Sequence, residues 1–241
     1  ADTPALANDY KKGDPYLDET PGKFRDICAN IVCALLYVVR STRLECLFSV
    51  CRMTRHLTRW HIRQDLWLIR CLEYLNKTSD MKLNFAINPK DFYQNGTAKL
   101  ESFSDSDLGA DATKRSTSGG LGMFKGKFTK ALIIAYCKRQ GSVSLSTPEA
   151  ELVAVTVLAK KILSIHMTAQ RLLKIAISLT VLEDNSAAEK VCGTGISASM
   201  SYLKRTVSLS LAWCKQNLRK IIKRIQSNSN PSDLFTKPLE K

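Results

Sequence analysis

The stretch Ser144-Leu145-Ser146-Thr147-Pro148-Glu149-Ala150-Glu151-Leu152-Val153-Ala154 constrains this chain more than any other, because it opens a helix and sets a carboxylate on its buried side. Hydroxyls at Ser144, Ser146 and Thr147 can cap free N–H groups, Pro148 suits a first turn, and Glu149, three residues after Ser146, completes a capping-box pattern. From there Glu151, Val155, Leu158 and Ile162 recur on one stripe, while Glu149 lies about 200° from Glu151 around the axis. Glu151 therefore faces the core. A carboxylate there is unfavourable unless it meets a metal, a cation or several donors.

The chain is long enough to bury a sizeable core, with 241 residues of which 44% are hydrophobic and 24% charged, so a disordered chain is excluded. Lysine and arginine number 36 against 22 acidic residues, a net charge of +14, which suits polyanionic partners. The excess is concentrated. Residues 40–77 carry Arg40, Arg43, Arg52, Arg55, Arg59, Arg63, Arg70 and Lys77 against Glu45, Asp65 and Glu73. Between Glu189 and Asp233 there is no acidic residue, while Lys204, Arg205, Lys215, Arg219, Lys220, Lys223 and Arg224 accumulate, the kind of surface that backbone phosphates require.

Eight cysteines form no C-x-x-C pair. Cys46, Cys51, His56 and His61 fall five apart, and on a helix each such step turns about 140°, so the four cannot share one face. They read as buried thiols and ordinary helix residues rather than as a metal site. The longest apolar run, Ile27 to Val39, contains Asn30 and is too short to cross a bilayer, so no membrane partner is expected.

In chain order, residues 1–23 form a Pro/Asp/Lys-rich lead, and residues 24–80 a small basic helical region. Trp60 and Trp67 there could stack on bases, although tryptophans at helical spacing are more often core. Residues 81–241 change character, giving an α/β unit. Strands are expected at 82–88, 100–105, 121–125, 132–136 and 177–182, with a short β-like stretch at 220–225. Helices are expected at 147–165, prolonged to about 175, at 185–192 and at 200–217, and a last helix capped by Asn230 or Ser232 carries Asp233.

Asp105 ends one strand, Asp184 follows another, and Glu151 lies on the inner face of the helix between them. Asp233 is a fourth candidate. An isolated Asp after a strand is commonly a turn residue, and spacing alone does not compel more. Jointly, strands ending side by side bring these carboxylates together, where they repel unless divalent cations sit between them. Oxygen-only ligands suit Mg²⁺ or Mn²⁺, and paired ions roughly 3.5–4 Å apart are the arrangement that cleaves phosphodiesters.

Residues 100–239 resemble the ribonuclease H domain that ends the Pol polyprotein of Ty1/copia-type LTR retrotransposons. The resemblance is carried, in order, by Ser104-Asp105-Ser106-Asp107, Lys114-Arg115-Ser116-Thr117-Ser118-Gly119, Lys138-Arg139-Gln140, Ser146-Thr147-Pro148-Glu149-Ala150-Glu151, Asp184-Asn185-Ser186-Ala187 and Ser232-Asp233-Leu234-Phe235-Thr236-Lys237-Pro238-Leu239. Residues 24–83 are similar to the segment that joins reverse transcriptase to that domain, through Ala34-Leu35-Leu36-Tyr37, Ser41-Thr42-Arg43 and Leu72-Glu73-Tyr74-Leu75-Asn76-Lys77-Thr78. The resemblance implies a ribonuclease H-like mixed five-stranded sheet flanked by helices and preceded by a small helical connection region. It implies an intracellular enzyme that cuts the RNA strand of RNA–DNA hybrids with two Mg²⁺ ions, Mn²⁺ substituting. Asp105, Glu151, Asp184 and Asp233 would then be both catalytic and metal-binding. Asn185 and the basic residues Lys204, Arg205, Lys215, Arg219, Lys220, Lys223 and Arg224 would contact nucleic acid, and the polymerase part of the same polyprotein would be a partner.

The chain departs from the family's pattern. Lys204-Arg205 stands where a Lys-His pair is usual, Pro148 replaces a Thr, Leu108 a Trp, and Thr42-Arg43-Leu44-Glu45 a Thr-Arg-Pro-Asp. The Asp-Asp hairpin of a polymerase is absent from these residues. A catalytically inactive hybrid-binding remnant of a degenerate element is therefore the alternative, and a structural remnant packing on a polymerase through its 24–75 helices is a third.

Overall fold

The structure, a computed structural model, describes residues 1–5, 14–94, 96–109, 113–197, 200 and 211–238. The chain divides into two compact units, Ala1–Leu83 with Lys237–Lys241, and Asn84–Thr236.

In the first unit the described α-helices are α1 (Pro15–Glu19), α2 (Cys28–Ser41), α3 (Leu47–Met53) and α4 (Ile62–Lys77), with short 3-10 helices at Leu44–Cys46 and Thr54–His56. Their core holds Val32, Val39, Leu47, Phe48, Met53, Trp60 and Leu68. Asp65, buried on α4, accepts hydrogen bonds from Trp60 Nε1 at 2.6 Å and from the backbone N–H groups of Lys23 at 2.5 Å and Phe24 at 3.3 Å. Trp60 is thus a core residue, while Trp67 lies under the Arg52 guanidinium, 3.6 Å from ring centroid to Cζ.

The second unit is α/β. Its sheet comprises β1 (Lys99–Ser106), β2 (Thr117–Lys125), β3 (Lys130–Arg139), β4 (Ser178–Glu183) and β5 (Ile222–Arg224), in the order β3-β2-β1-β4-β5. The β1–β2 and β2–β3 pairs are antiparallel, and β1–β4 and β4–β5 are parallel. This is the mixed five-stranded sheet flanked by helices that the resemblance implied. Around it lie α5 (Pro89–Tyr93), α6 (Thr147–Leu173), α7 (Ser186–Thr194) and α8 (Leu211–Leu218). Short 3-10 helices at Ser227–Ser229 and Pro231–Phe235 close the unit.

Helix α6 starts as its sequence dictates, with Ser146 in extended backbone accepting from the Glu149 N–H at 3.4 Å and Pro148 in the first turn. The Glu149 side chain reaches the Leu145 N–H at 2.9 Å and is itself buried. Leu152, Val155, Leu158, Ala159 and Ile162 are fully buried against Leu100, Phe124, Val181 and neighbours, which makes α6 the core helix of the unit. By length and composition alone it could also cross a bilayer, a test that core helices pass. Close packing requires Gly122 of β2, where a Cβ would come within 2.6 Å of Ile162 Cδ1.

The extended stretch expected at 82–88 is not a strand of the sheet. It touches the sheet through one antiparallel bridge, Ala86 to Lys130, and leaves Phe85 and Ile87 exposed. Nearby, Asp91 is fully buried and accepts from Thr97 Oγ1 and the Phe128 N–H, both at 2.8 Å, tying the β2–β3 turn to the segment before β1. Burial pushes the Asp91 carboxyl up, but these hydrogen bonds outweigh it and hold the group below its ordinary 3.8. A depressed carboxyl contributes stability above its unfolded value and loses it as the pH falls through the folded one. Asp91→Ala is expected to lower the melting temperature by several degrees at pH 7 and by less near pH 3, as followed by circular dichroism.

Candidate metal centre

The site forms where the two central parallel strands end. Phe103 of β1 and Leu182 of β4 are the last pair of the parallel ladder, and Asp105 and Asp184 each lie two residues beyond it, Asp184 just past the end of β4. Across the other edge of β1, Asp105 pairs with Gly119 of β2. Helix α6 crosses the α6-facing side of the sheet and delivers Glu151 from its first turns. One carboxylate oxygen from each of Asp105, Glu151 and Asp184 lies within 4.8 Å of the others. Asp105 and Glu151 are buried and Asp184 is half-buried.

Two observations mark this as more than a chance cluster. Glu151 Oε2 and Ser106 Oγ are both buried and neither makes a hydrogen bond of normal geometry, although the Ser106 hydroxyl is near enough to the Glu151 carboxyl to offset a small part of its upward shift. The Glu151 carboxyl is pushed up to about 10 by burial, reinforced by the charges of Glu183, Asp105 and Asp184. An orphaned carboxylate oxygen facing two further carboxylates is a poor hydrogen-bonding arrangement and a good ligand set for a hard cation. The residues present fit a divalent metal ion.

Asp233 is placed differently. It stands half-buried in the 3-10 helix Pro231–Phe235, outside the group whose oxygens converge within 4.8 Å. That helix is fastened to β1 on the side away from α6. Asn230 Nδ2 donates to Ser104 O at 2.8 Å, and Thr236 Oγ1 donates to Asp105 Oδ2. The segment bearing Asp233 thereby shares a hydrogen bond with the cluster without joining its inner group.

The remaining expected site residues are dispersed. Asn185 is the N-cap of α7, its Oδ1 accepting from the Ala187 and Ala188 N–H groups at 3.0 Å, which commits its carbonyl to the helix. Lys215 on α8, Arg219 and Lys220 after it, and Lys223 and Arg224 on β5 are all exposed. Lys204 and Arg205 lie outside the described residues.

A fourth carboxylate went unnoticed in the sequence. Glu183, fully buried at the end of β4, accepts from Ser104 Oγ at 2.7 Å and from the Asn185 N–H at 3.2 Å. Burial is the main reason its carboxyl rises to about 8, with the Asp184 and Asp105 charges adding to the shift. The alternation Leu179, Val181, Glu183 was the available signal, because it sets Glu183 on the same inward face as two core residues.

No family model matches the chain. Among solved structures it is similar to a crystal structure of prototype foamy virus protease-reverse transcriptase (native), with 15% identity and a TM-score of 0.33. That match covers 58% of this chain and 20% of the viral one, so the chain spans about a fifth of that protein. A likeness this slight transfers no function.

Proposed function

We propose that the chain is a ribonuclease H of the Ty1/copia retrotransposon type, cleaving the RNA strand of RNA–DNA hybrids with two Mg²⁺ ions, for which Mn²⁺ can substitute. The observation that carries the reading is the convergence of Asp105, Glu151 and Asp184 within 4.8 Å at the strand ends of a ribonuclease H-like sheet. On this reading those three hold the cations, and Asp233 completes the set from the closing segment. Such ions supply Lewis-acid stabilisation of the charge that develops on a phosphodiester, and they lower the pKa of water.

The protein's own contribution is to hold and orient. β1 and β4 fix two carboxylates side by side, and α6 brings the third over the strand ends. The exposed cations Lys215, Arg219, Lys220, Lys223 and Arg224 supply phosphate contacts that position a duplex without reading its sequence. Selectivity for RNA would rest on 2′-hydroxyl contacts across a wide minor groove. Binding by these cations should weaken steeply with salt.

The test is cleavage of an end-labelled RNA–DNA hybrid by the full chain in Mg²⁺ and in EDTA. Cuts confined to the RNA strand and abolished by EDTA are the expected result. Hybrid binding with no cleavage in either Mg²⁺ or Mn²⁺ would overturn the enzyme and leave the inactive hybrid-binding remnant as the better account.

A further inference from the structure

We infer that Gln140 is a positioning residue for Glu151: it holds the first turns of α6 at a set distance from β2, so that the Glu151 carboxylate meets those of Asp105 and Asp184. The inference rests on the metal-site reading above and goes beyond it by assigning a role to a residue that touches no cation.

Gln140 follows the last residue of β3 and is buried, at 6% exposure. Its backbone N–H donates to Ser116 O at 2.7 Å, which continues the β3–β2 pairing and fixes the main chain. Its side-chain nitrogen donates in two directions, to Ser118 Oγ at 3.0 Å and to Ala150 O at 2.9 Å. Its side-chain oxygen accepts from Ser144 Oγ at 3.0 Å. A primary amide nitrogen has two hydrogens, so both are engaged.

The two acceptors are informative. Ser118 precedes Gly119, the residue paired with Asp105, and Ala150 precedes Glu151. One planar amide therefore spans the backbone beside one metal-binding position and a side chain beside the neighbour of another. Close by, Ser146 Oγ accepts from the Glu149 N–H, the Glu149 carboxylate accepts from the Leu145 N–H, and Tyr136 Oη reaches Ala154 O a turn later at 3.4 Å. The Gln140 amide is a short link from the turn that carries Glu151 to the sheet that carries Asp105. Groups that orient metal ligands typically change metal affinity about 10–100-fold when removed, because small misplacements of a ligand matter.

The experiment is titration of the full chain with Mn²⁺ by calorimetry, for wild type, Gln140→Ala and Ser118→Ala, alongside thermal melts and hybrid cleavage. Gln140→Ala is expected to bind Mn²⁺ about 10–100-fold more weakly at a temperature where it is fully folded. Its kcat should fall while KM for the hybrid stays near the wild-type value. Ser118→Ala, which removes one arm of the clamp and leaves the amide, should show a smaller loss in the same direction.

A lowered melting temperature with unchanged Mn²⁺ affinity would mean that Gln140 is merely structural, and would overturn the inference. If Gln140→Ala does not fold, Ser118→Ala decides, and wild-type affinity there overturns it as well. Should wild type bind no Mn²⁺, the metal reading fails by itself. Amide exchange across Ala150–Thr156 then judges the clamp: faster exchange in Gln140→Ala sustains it, and unchanged exchange refutes it.

Discussion

Asp184→Asn is expected to reduce Mg²⁺-dependent cleavage of an RNA–DNA hybrid by roughly 100-fold or more, while raising the melting temperature of the cation-free protein by a few degrees. The first effect follows from the contribution of a bound cation, which is several kcal/mol at the transition state when each 1.36 kcal/mol is about tenfold in rate. The second follows from electrostatics without the cation. Asp184 is one of the charges that push up the Glu151 and Glu183 carboxyls, and an amide of the same shape removes it. Opposite signs for activity and stability identify a metal-ligand cluster, since an ordinary structural carboxylate would lose both together.

Burial of Glu151 and Glu183, with the same repulsion added to it, predicts how wild type responds to pH. Glu151 rises to about 10 and Glu183 to about 8 from an unfolded value of 4.5. Between those limits the native state binds more protons than the unfolded one, so stability falls as pH rises. It is greatest below pH 4.5 as far as these two groups are concerned, and is lost progressively toward their folded values. Melting temperatures in EDTA should therefore drop from pH 5 to pH 8.5, and Mg²⁺ should flatten the decline. A decline of equal steepness with and without Mg²⁺ would count against cation binding at this cluster.

The second large effect is expected at Gly119. A Cβ there would stand 2.8 Å from Thr236 Cγ2, 2.9 Å from Phe235 Cβ and 2.9 Å from Ser232 O, so the closing 3-10 helix lies directly on the bare backbone of β2. Gly119→Val must displace that helix, and with it Asp233 and the Thr236 hydrogen bond to Asp105. Overpacking of this kind costs about 1–3 kcal/mol. The variant should melt several degrees lower and lose most hybrid cleavage even at temperatures where it is folded. Gly141→Val is the control, because a Cβ at Gly141 meets nothing within 4 Å. If Gly119→Val keeps full cleavage, the closing segment plays no part in the site.

The sequence showed the carboxylates better than it showed their supports. Ser146 and Pro148 announced the start of α6, and the stripe from Glu151 to Ile162 correctly set Glu151 inward. The helical wheel did not show that Glu149, on the other side of the axis, is buried too, because it knows nothing of the loop that folds back and gives it the Leu145 N–H. Gly119, Gly120 and Gly122 are poor strand formers, and β2, expected at 121–125, begins at Thr117. Their real service is spatial, admitting the closing segment, the Tyr136 ring and Ile162 respectively, and no local pattern encodes a distant neighbour. The alternating residues 82–88 misled in the opposite way. They have the period of a strand but only one bridge to a pairing edge, and pairing is a property of two segments. Gln140 was legible as part of a motif, whereas its span from β2 to α6 was not.

The parallel pairing of β1 with β4 also bears on the order of events as the chain folds. Asp105 and Asp184 become neighbours only through a crossover that contains β2, β3 and α6, so the two antiparallel hairpin pairings can form while the acidic centre does not yet exist. Closing so long a loop is slow and comes late in folding. A chain still being synthesised thus has its β1–β2–β3 pairings before it has an acidic centre, and the basic residues 215–224, which lie beyond Asp184, are added last.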